Sequence, residues 1–141
     1  FNGYPLGLAA IKATFDIVEK DPGCYDRMRR YTEQISGVFT RAAKAAGMPL
    51  VIQGMPTALV YHSQEEPVDR SEGYSHKVKF CDIIIREVSK RHGIQFSPLS
   101  RIYSNLLMNQ DDVHFFEERI SDALVNARKV MEIAFKDEEV A

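Results

Sequence analysis

The chain has 141 residues, of which 45% are hydrophobic and 27% are charged, and its formal net charge is −2 at pH 7. This composition is typical of one globular domain and argues against a nucleic-acid-binding protein, which would carry a basic surplus on one face. No apolar run approaches the roughly 20 residues that a membrane-spanning helix needs. We therefore expect neither nucleic acid nor a membrane as a partner.

The segment PLGLAAIKATFDIVE predicts a first helix over residues 5–19. Pro5 fits the first helical position, where its missing N–H group costs nothing. Apolar residues surround most of this helix and leave only a narrow polar stripe, which consists of Lys12, Asp16 and Glu19. A helix with this pattern is expected to be largely buried against other structure.

A second helix is predicted to follow, with Asp21 and Pro22 as its cap and first residue. Gly47 and Pro49 are expected to end it. Its apolar stripe has the spacing 3, 4, 3, 4, 3 and consists of Met28, Tyr31, Ile35, Val38, Ala42 and Ala45. That spacing indicates a helix with one buried face.

The pattern then changes to short β-rich runs, LVIQG and TALVYHS, which are interrupted at residues 54–56. These runs predict a strand pair or a bent strand. Residues 63–73 are polar and contain a proline, so we expect an exposed loop. A third helix is predicted to end at Gly93, and its apolar face consists of Tyr74, Val78, Cys81, Ile85 and Val88.

Two further strand candidates, IQF at 94–96 and the run at 102–107, are separated by Ser97 and Pro98. Asn109 or Asp111 is predicted to cap a long last helix whose first turn is acidic, as the helix dipole favours. Its apolar face consists of Val113, Phe116, Ile120, Ala123, Ala127 and Met131.

The element order ααββαββα predicts an α+β fold, with a small, mostly antiparallel sheet of three to four strands covered by helices. The sheet is expected near residues 51–61, 94–96 and 103–107. The helices at 73–92 and 112–135 are expected to pack on one side of it.

Motifs alone reveal no catalytic centre. The four histidines are scattered without metal-ligand spacing, so we interpret them as surface or hydrogen-bonded side chains; they are His62, His76, His92 and His114. Cys24 and Cys81 lie far apart in no motif, which favours reduced thiols in a cytoplasmic protein. No glycine-rich phosphate loop occurs in the chain.

One loop, residues 97–101, stands out because it carries an arginine between two predicted strands. Arg101 has no obvious helical partner there and could present its guanidinium group for bidentate carboxylate binding. The residues by themselves also allow an ordinary surface arginine, and both interpretations stay open at this point.

The opening FNGYPLGLAA resembles the segment that begins the C-terminal small domain of class III, fold-type I aminotransferases. Phe1, Gly3 and Pro5 match that segment, although Tyr4 stands where the family usually has Asn. The later segments AAGMPL, GMPTALVYH, HGIQFSP and NQDDV keep the family's order, although Met108 and Asn109 replace its frequent His-Thr or His-Ser. The resemblance spans nearly the whole chain and is closest to the glutamate-1-semialdehyde 2,1-aminomutase branch.

This resemblance implies that residues 1–141 are the small domain of a larger enzyme whose cofactor-binding domain lies upstream. The cofactor would be pyridoxal 5'-phosphate, held mainly by that absent domain, which also carries the Schiff-base lysine. No catalytic residue is therefore expected in this chain. Phe1 and Asn2 are expected near the cofactor phosphate of a partner subunit, and Arg101 and Ser100 are expected to bind substrate at the active-site entrance.

The implied activity is transfer of an amino group between an amino acid and a keto acid or aldehyde. An aminomutase, or a non-catalytic interaction module, remains an alternative. The implied partners are the missing large domain, a second subunit in a homodimer, and a small-molecule amino acid or keto acid. In the chain as given, the helix at 5–19 should then expose an apolar face, because its partner surface is absent.

Overall fold

The structure is a computed structural model that describes residues 3–70 and 73–136. Within these residues, four α-helices and a three-stranded antiparallel sheet form an α+β fold, which confirms the predicted fold class. None of the helices in the described parts of the chain has the length and apolarity needed to cross a membrane. Phe1 and Asn2 lie outside the described residues.

Helix α1, Pro5–Lys20, begins at the predicted proline, and none of its residues is buried. Its large apolar side chains are all more than half exposed; they are Leu6, Leu8, Ile11, Phe15 and Ile17. The predicted exposed apolar face is therefore confirmed.

Helix α2, Cys24–Ala45, begins later than predicted, and its N-cap is Gly23 rather than Asp21. Asp21 instead ends α1, and its carboxylate pairs with Arg27 in the first turn of α2. The hydrogen bond from Arg27 lowers the pKa of Asp21. The predicted capping role was wrong because residues 22 and 23 are not yet helical: the Asp21 carboxylate accepts the N–H group of Gly23, which lies before α2 begins.

Strands β1, Val51–Met55, and β2, Ala58–His62, form an antiparallel hairpin, so the first of the two predicted arrangements is confirmed. Gly54 has φ +119°, and a Cβ atom there would lie 2.8 Å from the Ala58 carbonyl oxygen. Only glycine fits this position without strain. Strand β3, Arg101–Tyr103, pairs antiparallel with β2, which gives the sheet order β1-β2-β3.

The strand predicted at residues 94–96 is absent, and residues 104–107 also lie outside β3. Ile94 and Phe96 are buried in the core, but the Ile94 N–H group donates to the Ser89 carbonyl at the end of the third helix. The alternating apolar pattern thus reflects burial between helices. It does not reflect pairing in the sheet.

Helix α3 comprises His76–Arg91, with the Ser75 side chain as its N-cap. Helix α4 comprises Gln110–Ala134, and Asn109, the first of the two predicted caps, forms a capping box with Asp112. Helix α4 packs on α2 and α3, while α2 contacts β1 and α3 contacts β2.

The core lies between these three helices and the sheet, and four aromatic rings form its centre. Phe39 stacks on Phe96 with ring centroids 5.3 Å apart, and Tyr61 approaches Phe96 at 4.9 Å. Phe116 of α4 meets Phe39 edge to face. This cluster fixes the sheet against α2 and α4 and thereby positions the loop before β3.

Candidate functional site

The loop at residues 97–101 enters β3 through a single turn of 3-10 helix, Pro98–Ser100. Leu99 and Ser100 have φ values of 62° and 59°, a left-handed conformation that is uncommon for residues other than glycine. The Ser97 N–H group donates to the Arg101 carbonyl oxygen at 3.2 Å and closes the loop. The conformation of this loop therefore determines the position of the Arg101 Cα atom, from which the side chain extends.

Arg101 is exposed and lines an open cleft of about 280 Å³. Its Nη1 atom donates to the Tyr103 hydroxyl oxygen at 3.2 Å. It forms no ion pair with any carboxylate of the described residues. The guanidinium group thus keeps donors available for an anionic group.

The wall of this cleft is largely apolar, with Phe115, Ile102 and Met108 among its lining residues. Asp112 also lines it, but this carboxylate accepts the Asn109 N–H group at 2.9 Å as part of the helix cap. A cationic group beside an apolar wall is suited to a ligand with a carboxylate and an uncharged remainder.

Ser100, the second predicted substrate-binding residue, is buried and lines a different cavity of about 240 Å³. Tyr74 and Asp82 line that second cavity with it. The structure therefore does not bring the Ser100 and Arg101 side chains together in one cavity. Substrate binding by either residue stays a prediction.

Sequence reasoning missed a polar cluster centred on Asp82 of α3, which is 2% exposed. Its carboxylate accepts the Ser63 N–H group at 2.7 Å and the Tyr74 hydroxyl at 2.9 Å, and it lies 3.0 Å from Nδ1 of His62. The one feature of the sequence that could have indicated this cluster is that Asp82 directly precedes the apolar run at residues 83–85. A carboxylate in that place needs several donors to be buried.

The tyrosines around this cluster hold their protons strongly. Burial, together with the nearby Asp82 charge, raises the pKa of Tyr74 to about 12. The same two causes, burial first, raise the pKa of Tyr61 well above its usual value. Both phenols therefore remain hydrogen-bond donors throughout the physiological pH range.

The lysines and cysteines of the described residues lie away from the Arg101 cleft. Every lysine is exposed, and none of them lines the cleft beside Arg101. Cys24 and Cys81 are both buried, and they do not form a disulfide with each other. Over residues 3–70 and 73–136, no group of three His, Cys, Asp or Glu side chains could hold a metal ion. The predicted cofactor contacts, Phe1 and Asn2, fall outside these ranges.

No protein-family model matches the chain. A curated glutamate-1-semialdehyde 2,1-aminomutase from Deinococcus deserti is 36% identical over 66 residues, which make up 47% of this chain and 15% of the aminomutase. The crystal structure of an omega-transaminase from Sphaerobacter thermophilus matches with a TM-score of 0.68 and 20% identity. That match covers 76% of this chain and 25% of the transaminase chain.

The chain is thus similar in fold to a transaminase and, over 66 residues, similar in sequence to an aminomutase, in agreement with the resemblance described from the sequence. The solved structure supports the fold, and the aminomutase supplies the similarity in sequence. Both relatives bear the names of transaminase or aminomutase enzymes, and the chain spans a quarter or less of either one.

Proposed function

We propose that this chain is the small domain of a pyridoxal-phosphate-dependent aminotransferase that moves an amino group between an amino acid and a keto acid or aldehyde. The names of the two similar proteins support this assignment. The cofactor would supply the bond-breaking chemistry, and residues outside the described chain would hold it. The described residues would bind and orient the substrate.

The observation that carries this proposal is the guanidinium group of Arg101, which lies at an apolar cleft and forms no ion pair within the described residues. Its planar fork can meet both oxygens of a carboxylate, which a lysine cannot imitate. The hydrogen bond to Tyr103 restricts its orientation. We infer that Arg101 binds the carboxylate of the substrate while the apolar wall contacts the remainder of the molecule.

The test is Arg101→Ala in the full-length protein, compared with Arg101→Lys and with Arg29→Ala as a control at an exposed arginine outside the cleft. Losing one partner of a desolvated charge pair costs about 2–5 kcal/mol, so kcat/KM for acid substrates should fall roughly 30-fold or more. The lysine variant should recover only part of this loss, and the control should behave as the parent protein.

Amine substrates without a carboxylate should keep their activity in Arg101→Ala, with cofactor content unchanged. Equal losses for acids and amines would make Arg101 a structural residue. Unchanged activity toward both would make it a surface arginine.

An aminomutase is the second candidate, because the sequence match is to an aminomutase. A mutase would retain the amino group and exchange its position within one substrate. Turnover in the absence of a second keto acid would favour the mutase, whereas strict dependence on a keto acid would favour the transaminase. A full-length protein that binds no cofactor would instead favour a non-catalytic interaction module.

The proposal includes an upstream large domain and a homodimer as partners. The exposed apolar side chains of α1 support it, because such a face is usually covered in the assembled protein. It also includes a cytoplasmic location, which is supported by the low cysteine content of the chain and the absence of a cysteine motif in its sequence.

A further inference from the structure

Two cavities other than the Arg101 cleft lie between α3 and the loop at residues 95–100. The larger has a volume of about 240 Å³ and the smaller of about 130 Å³, and Arg86 lines both of them. We call the two cavities together the α3 groove. Arg101 lines neither cavity, and the loop contributes Leu99 to the larger one. The α3 residues that line the groove are Lys79, Asp82, Ile83, Arg86, Glu87 and Lys90.

Three of these side chains are cations on one face of α3. Lys79, Arg86 and Lys90 follow one another at spacings of seven and four residues, which place them on the same side of a helix. Lys79 and Lys90 are exposed and form no ion pair with a carboxylate within residues 3–70 and 73–136. The Nε–H group of Arg86 donates to Glu87 at 2.9 Å, and a guanidinium group has four further N–H donors. All three cations can therefore bind an additional anion.

The two acidic side chains that line the groove already have partners in the protein. The Asp82 carboxylate accepts the Ser63 N–H group at 2.7 Å and the Tyr74 hydroxyl at 2.9 Å, and it lies 3.0 Å from Nδ1 of His62. Glu87 pairs with Arg86. Because these partners offset both carboxylates, the two lysines leave the groove with a positive balance. The groove is thus suited to an anion.

The larger cavity also has apolar side chains that this chain does not cover. Ile83 is 45% exposed and Leu99 is 66% exposed, although both line the cavity. Leu99 has a φ value of 62°, so its backbone is in an unfavourable conformation while its side chain gains little from burial. Strained residues of this kind concentrate where a protein holds a ligand. A ligand with an apolar body would bury both side chains.

We propose that the α3 groove binds a small organic molecule that carries two anionic groups, carboxylate or phosphate, on a short apolar body. Arg86 binds one anionic group, because it lies where the two cavities meet. Lys79 or Lys90 binds the other, and Ile83 and Leu99 contact the body. The volumes of the cavities suit a small molecule. This site does not depend on the proposed function, because it uses neither Arg101 nor the cofactor.

The test is isothermal titration calorimetry of the full-length protein with glutarate, which has two carboxylates, and with butyrate, which has one. All titrations use the Arg101→Ala protein, so that a carboxylate bound in the Arg101 cleft does not contribute. Glutarate should bind about tenfold more tightly than butyrate, because its second anionic group meets a second cation. Equal affinities, or no binding of glutarate at millimolar concentration, would overturn the proposal.

A third probe, phosphonopropionate, replaces one carboxylate by a phosphonate group. It should also bind more tightly than butyrate. Tighter binding than glutarate would assign the groove to ligands that carry a phosphate, and weaker binding would assign it to dicarboxylates. Either order supports the site, whereas affinities of both dianions no greater than that of butyrate would overturn it.

The location of the site is tested by Arg86→Ala, which should weaken glutarate binding about tenfold or more. Arg91→Ala is the matched control, because Arg91 lies on the same helix but outside the groove. Glutarate should bind to the control as it does to the unchanged groove. Equal losses in the two variants would show attraction by the overall charge of α3, and would overturn a defined site.

A second variant keeps the test decisive if Arg86→Ala does not fold. Lys79→Gln combined with Lys90→Gln changes only exposed side chains, so the fold should be retained. This variant should also weaken glutarate binding about tenfold. Its control is Lys44→Gln combined with Lys129→Gln, at exposed lysines outside the groove. Unchanged binding in the first variant, or the same loss in both, would overturn the proposal.

Discussion

Ser89 places a polar group in the core without a hydrogen-bond partner. Its side chain on α3 is fully buried, and its hydroxyl is the one buried side-chain polar atom without a hydrogen-bond partner among the described residues. A buried unpaired hydroxyl costs about 1–3 kcal/mol. Ser89→Ala should therefore raise the free energy of unfolding by about 1 kcal/mol, as measured by urea denaturation.

Alanine also has a higher helix propensity than serine, so a control must separate the two effects. Ser121→Ala changes an exposed serine of α4 and provides the propensity gain alone. A Ser89→Ala protein that is no more stable than Ser121→Ala would show that the hydroxyl has a partner in solution.

The Tyr74 phenol gives the stability of the protein a specific dependence on alkaline pH. Its folded-state pKa of about 12 lies above the ordinary value of 10.0. The neutral phenol is the form that the fold favours, so its contribution is complete below pH 10 and is lost as the pH rises toward 12. Between pH 10 and pH 12, the free energy of unfolding should therefore fall less in Tyr74→Phe than in the parent protein.

Urea unfolding at several pH values between 9 and 12 measures this difference, with Tyr25→Phe as the control. If the free energies of unfolding of Tyr74→Phe and of the parent protein change with pH in parallel, Tyr74 has the same pKa in the folded and unfolded states. The raised pKa would then have no bearing on stability.

At the scale of elements, α1 differs from the other helices because no residue of it is buried. Phe15→Lys changes a side chain that is 63% exposed, so the free energy of unfolding of this chain should change by no more than about 0.5 kcal/mol. In the full-length protein the same change should lower Tm, because the face would be covered there.

The control for this comparison is Thr14→Lys, which places the same charge at an exposed polar position of α1. Equal melting temperatures for full-length Phe15→Lys and Thr14→Lys would contradict burial of the apolar face. A large loss in the isolated chain would contradict its exposure in this fold.

The whole chain should not hold pyridoxal phosphate at one defined lysine. Every lysine is exposed and none lines the Arg101 cleft, so added cofactor should react slowly and at several surface positions. Borohydride reduction followed by peptide mapping measures the distribution. One stoichiometric adduct at a single lysine would show that this chain contains the covalent attachment site.

The features of the fold that the sequence predicted correctly depend on interactions between residues that are close together along the chain. Pro5 and Asn109 mark helix starts through contacts within a few residues, and Gly54 marks the hairpin in the same way. The prediction from Asp21 was wrong because its carboxylate accepts the N–H group of Gly23, and α2 begins only after that residue. The strand predicted at residues 94–96 was wrong because burial in the core produces the same alternation of apolar residues as pairing in a sheet.

The sequence alone indicated four helices, the α+β class and the resemblance, because periodicity and caps act between neighbours along the chain. At residues 50–63 it left a strand pair and a bent strand both open. It also identified Arg101 as the candidate cation. Only the tertiary structure decided that His62, Ser63 and Tyr74 converge on Asp82, and that Ser100 and Arg101 line separate cavities. These side chains come from different elements, so the packing of α3 against β2 and the loop determines which of them meet.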